Sequence, residues 1–307
     1  MKVIFKRTLQ ETLKPVAIIL SLLAGMLGGY VIGNAADTLS APAYVYFLNK
    51  CLLMQDLVVF FLINGVVLMS ITAAVASGLI AGEVHEGTFR ILIVKPISRR
   101  AILLGKVLGM ICGTVLHMLL GLAMMVVFEI TSGTFDRNII AGLLSYLPGY
   151  LLYGIIVILF ISSLAVLLSC VMKKRMFALL PMLVVLVMIL MLPIVFRLTI
   201  SLTGTISYEG KRLYLVDMNY HFAQIFSWCL KPFGGITGTS SQLETMSMLT
   251  NLYSYLPIDR DIAHTQYMNS LMLPNNMLSM NLLVIVYLVL TAVNYLGSFA
   301  IISRKDV

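Results

Sequence analysis

Long apolar runs make up most of this chain, and the charged residues gather in short intervals between them. A helix needs roughly 20 predominantly apolar residues to cross the ~30 Å hydrocarbon core of a bilayer. Six runs fit: Val16–Gly33, Leu57–Gly82, Ile102–Phe128, Pro148–Met172, Met176–Leu202 and Asn281–Ile302. The fourth extends a charge-free stretch from Asn138, and Pro148 is expected to kink it, with the preceding turn at the interface. In the first, Gly25, Gly28 and Gly29 thin the apolar surface. A basic start and small residues near Gly33-Asn34-Ala35 also fit a cleaved leader. The 18-residue core and long prefix favour a retained span, since leader cores run to about 7–15 residues.

The pattern predicts an all-α integral membrane protein forming a single transmembrane domain over residues 1–307. Its expected parts are six transmembrane helices, an N-terminal interfacial helix, and short re-entrant or interfacial helices in a large outer loop between spans five and six.

Composition sharpens this. Mean hydropathy is +1.00, with 60% hydrophobic and 11% charged residues, whereas soluble domains carry about 25% charged. A water-soluble enzyme and a disordered chain are both excluded. The net charge of +8 reads as membrane orientation, not as nucleic-acid binding. With both termini cytoplasmic, 14 of the 21 basic residues but only four of the 13 acidic ones fall on the inner side. A multi-pass protein of the cell membrane with both ends inside is expected. Cys51, Cys112, Cys170 and Cys229 form no CxxC pair, and spacing gives no support to a bridge between Cys51 and Cys229.

The intervals differ in character. Residues 1–15 place Val3, Ile4, Phe5, Leu9 and Leu13 at helical spacing against Lys2, Lys6, Arg7 and Lys14, which predicts an interfacial helix drawn to anionic lipid. The first cytoplasmic loop, residues 83–101, brackets an apolar stretch, Phe89–Val94, between Gly87 and Pro96, amid Glu83, His85, Glu86, Arg90, Lys95, Arg99 and Arg100. Such a segment reads either as a docking surface for a soluble partner or as a solvated orientation signal. Lys173-Lys174-Arg175 forms the second inner loop. Residues 204–280 are the outer insertion, with a helical piece at Phe222–Leu230, turns at Gly234-Gly235, and a further apolar piece at Leu249–Leu256.

Reactive chemistry is sparse. His85-Glu86-Gly87-Thr88-Phe89 lacks the second histidine that a zinc site of the HExxH kind needs. GxxxxGK[ST] is absent, so no nucleotide site is expected in the chain. His117 in the third span reads best as a histidine bonding a neighbouring helix. Glu129 and Arg197, near outer span ends, are the candidate ion pair, with snorkelling to the interface as the alternative. Asn64, Ser70, Thr72 and Ser77 are the polar points of the second span. The twenty methionines fit core filling, or soft lining for apolar cargo. No metal, catalytic or cofactor-binding residue is assigned.

The stretch Gly82-Glu83-Val84-His85-Glu86-Gly87-Thr88-Phe89-Arg90, then Lys95-Pro96-Ile97-Ser98-Arg99-Arg100, then Leu103-Leu104-Gly105-Lys106 resembles the coupling loop of type-2 ABC transporter permeases. The resemblance implies docking on a separate cytosolic ABC ATPase dimer, which would bind the ATP and Mg. Glu83, Glu86, Gly87, Thr88 and Arg90 would lie at or beside that contact, and Pro96, Ser98 and Arg99 would form the returning turn. It also implies a second permease copy or paralogue, with the second and fifth spans lining the pathway; Asn64, Ser70, Thr72 and Ser77 would then face it. In overall style the chain looks like peptide-toxin and phenol-soluble-modulin exporters.

The expected function is therefore the permease subunit of an ATP-driven exporter of an amphipathic peptide or other hydrophobic cargo. A permease for lipid or hydrophobic drugs stays open, as does a non-transporting sensor or immunity protein that binds peptide through its outer loop.

Overall fold

The computed structural model describes residues 2–37, 44–93, 97–203, 208, 210–237, 240–255 and 272–304. These are helical apart from turns and one short ladder. By length and composition five helices can cross a membrane: Pro15–Asn34, Phe47–His85, Arg99–Ser132, Arg137–Val171 and Met280–Arg304.

Helix α1 (Lys2–Thr12) lies on α7 (Arg99–Ser132), not free at the surface. Its Thr8 and Thr12 are buried and face Gly109 and Gly113, where any side chain would collide. Val3 remains 81% exposed. Helix α2 (Pro15–Asp37) crosses α7 along Gly25, Gly29 and Gly33. A Cβ at Gly25 would strike the Gly121 carbonyl, and one at Gly29 the Met125 carbonyl. Small residues four apart let two helices approach where lipid supplies no hydrophobic drive between them. The glycines that weaken the first apolar run are what seat it.

The second span is longer than its apolar core. Helix α3 (Tyr44–Leu57) continues through a π-helical segment, Val58–Val67, into α4 (Leu68–Gly78) and α5 (Ala81–His85). After the turn at Glu86–Gly87 follows α6 (Thr88–Ile93), then α7. The Ser98 hydroxyl caps α7 by accepting from the Ala101 amide at 3.2 Å. Helix α8 (Arg137–Leu144) is capped by Asp136, and α9 (Leu147–Val171) starts with Pro148 in its first turn. That proline opens a helix where its missing N–H costs nothing, and the break falls just before it.

The fifth run divides. Met191 leaves helical geometry (φ −124°, ψ −50°), ending α10 (Arg175–Leu190), and α11 (Leu192–Thr203) carries Pro193 in its first turn. The 16 residues of α10 rise only about 24 Å, short of a full crossing. A sixth straight spanning helix is thus not found among the described residues.

In the insertion, α12 (Met218–Leu230) packs into the core. Phe226 stacks on Tyr150 with centroids 6.0 Å apart and meets Tyr153 edge-on at 4.9 Å. Helix α13 (Ser240–Thr250) ends at Asn251 (φ 59°). There Leu249–Leu256 splits, because Tyr253–Tyr255 (β1) pairs antiparallel with Met272–Pro274 (β2). Helix α14 (Met280–Arg304) returns along α9, with the Ser162 and Tyr295 hydroxyls 2.6 Å apart. Cys51 and Cys229 are free and buried.

Candidate functional site

The inner loop is a projecting turn on an anchored base. Gly87 has φ +72°, a left-handed conformation that a side chain strains, and it reverses the chain between α5 and α6. His85, Glu86 and Gly87 are exposed at the apex, while Phe89 is fully buried beneath them. Ile91, on the next turn, is 67% exposed. Thr88 steadies the reversal by donating to the Glu83 carbonyl at 3.4 Å.

Three side chains hold the base. Lys106 of α7 is buried; it donates to the Leu79 carbonyl at 2.7 Å and pairs with Glu83. The Ser169 hydroxyl of α9 accepts from the Ile80 and Ala81 amides, each at 3.0 Å, and donates to the Ser77 carbonyl at 2.9 Å. Arg175 donates to the Ala74 carbonyl at 3.1 Å. Push or pull on the apex therefore reaches α7, α9 and α10 through hydrogen bonds.

The structure sorts the residues expected to dock. Glu86 and Gly87 face outward, Thr88 is half-buried, and Glu83 turns inward to Lys106. Ser98 and Arg99 start α7. Pro96 and the Arg90 side chain lie outside what the structure describes. Lys106 and Ser169 were not legible as anchors, because their partners lie 23 to 92 residues away.

Of the candidate pathway residues, Asn64, Thr72 and Ser77 are fully buried within the protomer. Asn64 donates to the Tyr150 carbonyl at 3.2 Å, Thr72 to Leu68 at 2.7 Å and Ser77 to Ala74 at 3.2 Å. Asn64 thus ties the span to α9, while Thr72 and Ser77 bond back into their own helix; only Ser70 of the four is exposed.

The Glu129–Arg197 pair is not formed. Gln55 donates to Glu129 at 3.2 Å. Arg197 pairs with Asp217 at 2.7 Å and also donates to Asn219 at 2.9 Å and to the Leu249 carbonyl. Asp217 caps α12 and lies beside α11, so Arg197 meets the nearer carboxylate. Tyr208 donates to the same carboxylate at 2.7 Å, and burial pushes its hydroxyl well above the usual tyrosine range. This cluster closes the polar end of a cavity of about 290 Å³ lined by Met188, Leu192, Pro193, Phe196, Leu213 and Val216. An open apolar groove on α10, along Leu183, Val184 and Val187, runs into it through Met188 and Leu192.

His117 bonds neighbouring helices as its sequence position indicated, with Ser21 at 3.0 Å and the Thr12 carbonyl at 3.0 Å. In the insertion, His221 contacts the Tyr214 carbonyl at 2.8 Å and the Tyr287 hydroxyl at 3.1 Å. Burial holds its imidazole below the ordinary value of 6.5, with the Tyr214 carbonyl opposing. The unfolded chain then takes up this proton more readily than the folded one, so stability falls as pH drops through the unfolded value. His221→Gln is expected to flatten the decline in thermal midpoint from about pH 7.5 to pH 5.5. An unaltered slope would assign the acid sensitivity to other groups.

A family model described as ABC-2 family transporter protein matches residues 17–299. No curated protein matched the chain.

Proposed function

This chain belongs to the ABC-2 transporter family, and from that membership we propose that it is the permease subunit of an ATP-driven exporter whose inner loop seats on a cytosolic ATPase. What supports this reading is the loop itself: an exposed His85-Glu86-Gly87 apex over a buried Phe89, on a base tied by Lys106, Ser169 and Arg175. A rigid, charged projection transmits displacement, whereas a solvated loop would absorb it. The ATPase dimer would bind ATP and Mg and drive the loops when it closes.

In this reading both termini are cytoplasmic, and α10 with α11 forms a broken fifth crossing, six in all. Two permease copies enclose the pathway. The cargo is amphipathic, a peptide of the toxin or bacteriocin kind. The apolar groove on α10 leads to a cavity whose far end carries Tyr208 and Asp217. An apolar body with a polar end matches that gradient, which sugars would not.

Charge reversal in the loop, Glu86→Lys with Arg90→Glu, tests the docking. Transport in vesicles is expected to fall at least tenfold, about 1.4 kcal/mol of coupling, with an unchanged thermal midpoint as the check that the variant folds. Transport at the wild-type rate would remove the docking assignment.

A further inference from the structure

Two carboxyls in the outer half of the core take no part in the loop or the groove: Asp56 on α3 and Glu129 on α7. Both are buried, at 0% and 1% exposure. Each keeps one oxygen with no hydrogen-bond partner, Asp56 Oδ2 and Glu129 Oε1. A buried carboxylate shares its charge over both oxygens, so an unpartnered one disfavours the ionised form.

The other two oxygens end a single chain of contacts. Asp56 Oδ1 lies 2.8 Å from the Tyr150 hydroxyl, which lies 3.2 Å from Gln55 Oε1. The Gln55 amide nitrogen in turn lies 3.2 Å from Glu129 Oε2.

Counting hydrogens decides what this chain holds. Tyr150 has one hydroxyl hydrogen and two oxygens to satisfy. With both carboxyls ionised, one contact is left as lone pair against lone pair. One added proton completes every link: Asp56 donates to Tyr150, Tyr150 to Gln55, and Gln55 to Glu129. The reverse order works equally well once the amide turns over, since its O and N exchange places. Glu129 then donates to Gln55, Gln55 to Tyr150, and Tyr150 to Asp56.

We infer that Asp56 and Glu129, joined through Tyr150 and Gln55, form a site that binds one proton, carried at either end. Moving it breaks one carboxyl O–H bond and makes the other, and the pair keeps one negative charge throughout. The titratable groups around it are Tyr146, Tyr150 and Tyr253 within reach of the Asp56 charge, and Cys51 and Tyr150 within reach of Glu129; Lys50 acts on Cys51. The two ends titrate as one coupled unit.

Infrared spectroscopy of the full chain in lipid nanodiscs at neutral pH tests the site. The wild type is expected to show a protonated-carboxyl C=O band that shifts on transfer to D₂O. Tyr150→Phe cuts the chain and should shift the band; Asp56→Asn with Glu129→Gln should abolish it. Should the double variant fail to assemble, the near-isosteric Glu129→Gln alone must still move the band. No such band in the wild type, or a band unmoved by these variants, would overturn the proposal.

Discussion

Arg197→Met is expected to lower the unfolding free energy by about 3 kcal/mol, because it leaves the Asp217 carboxylate buried without its cation. Arg197 and Asp217 are 8% and 5% exposed at the side chain, with nitrogen and oxygen 2.7 Å apart. The arginine also draws α11 to α12 and α13 through Asn219 and the Leu249 carbonyl, so its loss loosens that three-helix junction. Adding Asp217→Asn removes the uncompensated charge, and the amide oxygen can still accept from the Tyr220 amide. The double variant should recover more than half the loss, read as thermal midpoint in detergent. A single variant as stable as the wild type would show that the pair holds nothing together.

Lys106→Met is expected to cost a similar amount, about 3 kcal/mol, at the opposite end of the molecule. It strands Glu83, whose side chain is 13% exposed, and removes the donor to the Leu79 carbonyl. Glu83→Gln alone should cost less, since the amide still accepts from the ammonium. Combined with Lys106→Met it should restore part of the midpoint. The loop base loses its tie to α7 in both variants that carry Lys106→Met, so ATPase coupling should fall there even where stability returns. Stability and coupling that recover together would make Lys106 a purely structural residue.

Much of this arrangement is legible in the chain because a bilayer leaves few choices. An apolar run must form a helix, as hydrocarbon offers its backbone no partners, and five of the six runs lie in helices long and apolar enough to span. The fifth run fails as a straight helix at Pro193. Hydropathy counts that proline as one neutral residue, although it interrupts the backbone ladder.

Polar contacts were harder to read. Asp56 sat just outside the second apolar run, and nothing near it in sequence offers a bond. Its partner Tyr150 is 94 residues away. Opposite charge and a place near outer span ends paired Glu129 with Arg197, but Asp217 lies 20 residues from Arg197, at the N-terminus of α12. The inner loop was the most readable part, since its glycine turn and charges are local. Its anchors Lys106 and Ser169 were not, being tertiary.

The most direct test of the central claim is ATP hydrolysis by the chain co-expressed and purified with candidate ABC ATPases from its source, with and without amphipathic peptides. The account predicts stable co-purification, and a hydrolysis rate that peptide alters and the Glu86→Lys with Arg90→Glu variant does not let it alter. A chain that purifies without any ATPase, and binds peptide with no hydrolysis, would contradict it and point to a sensor or immunity protein instead.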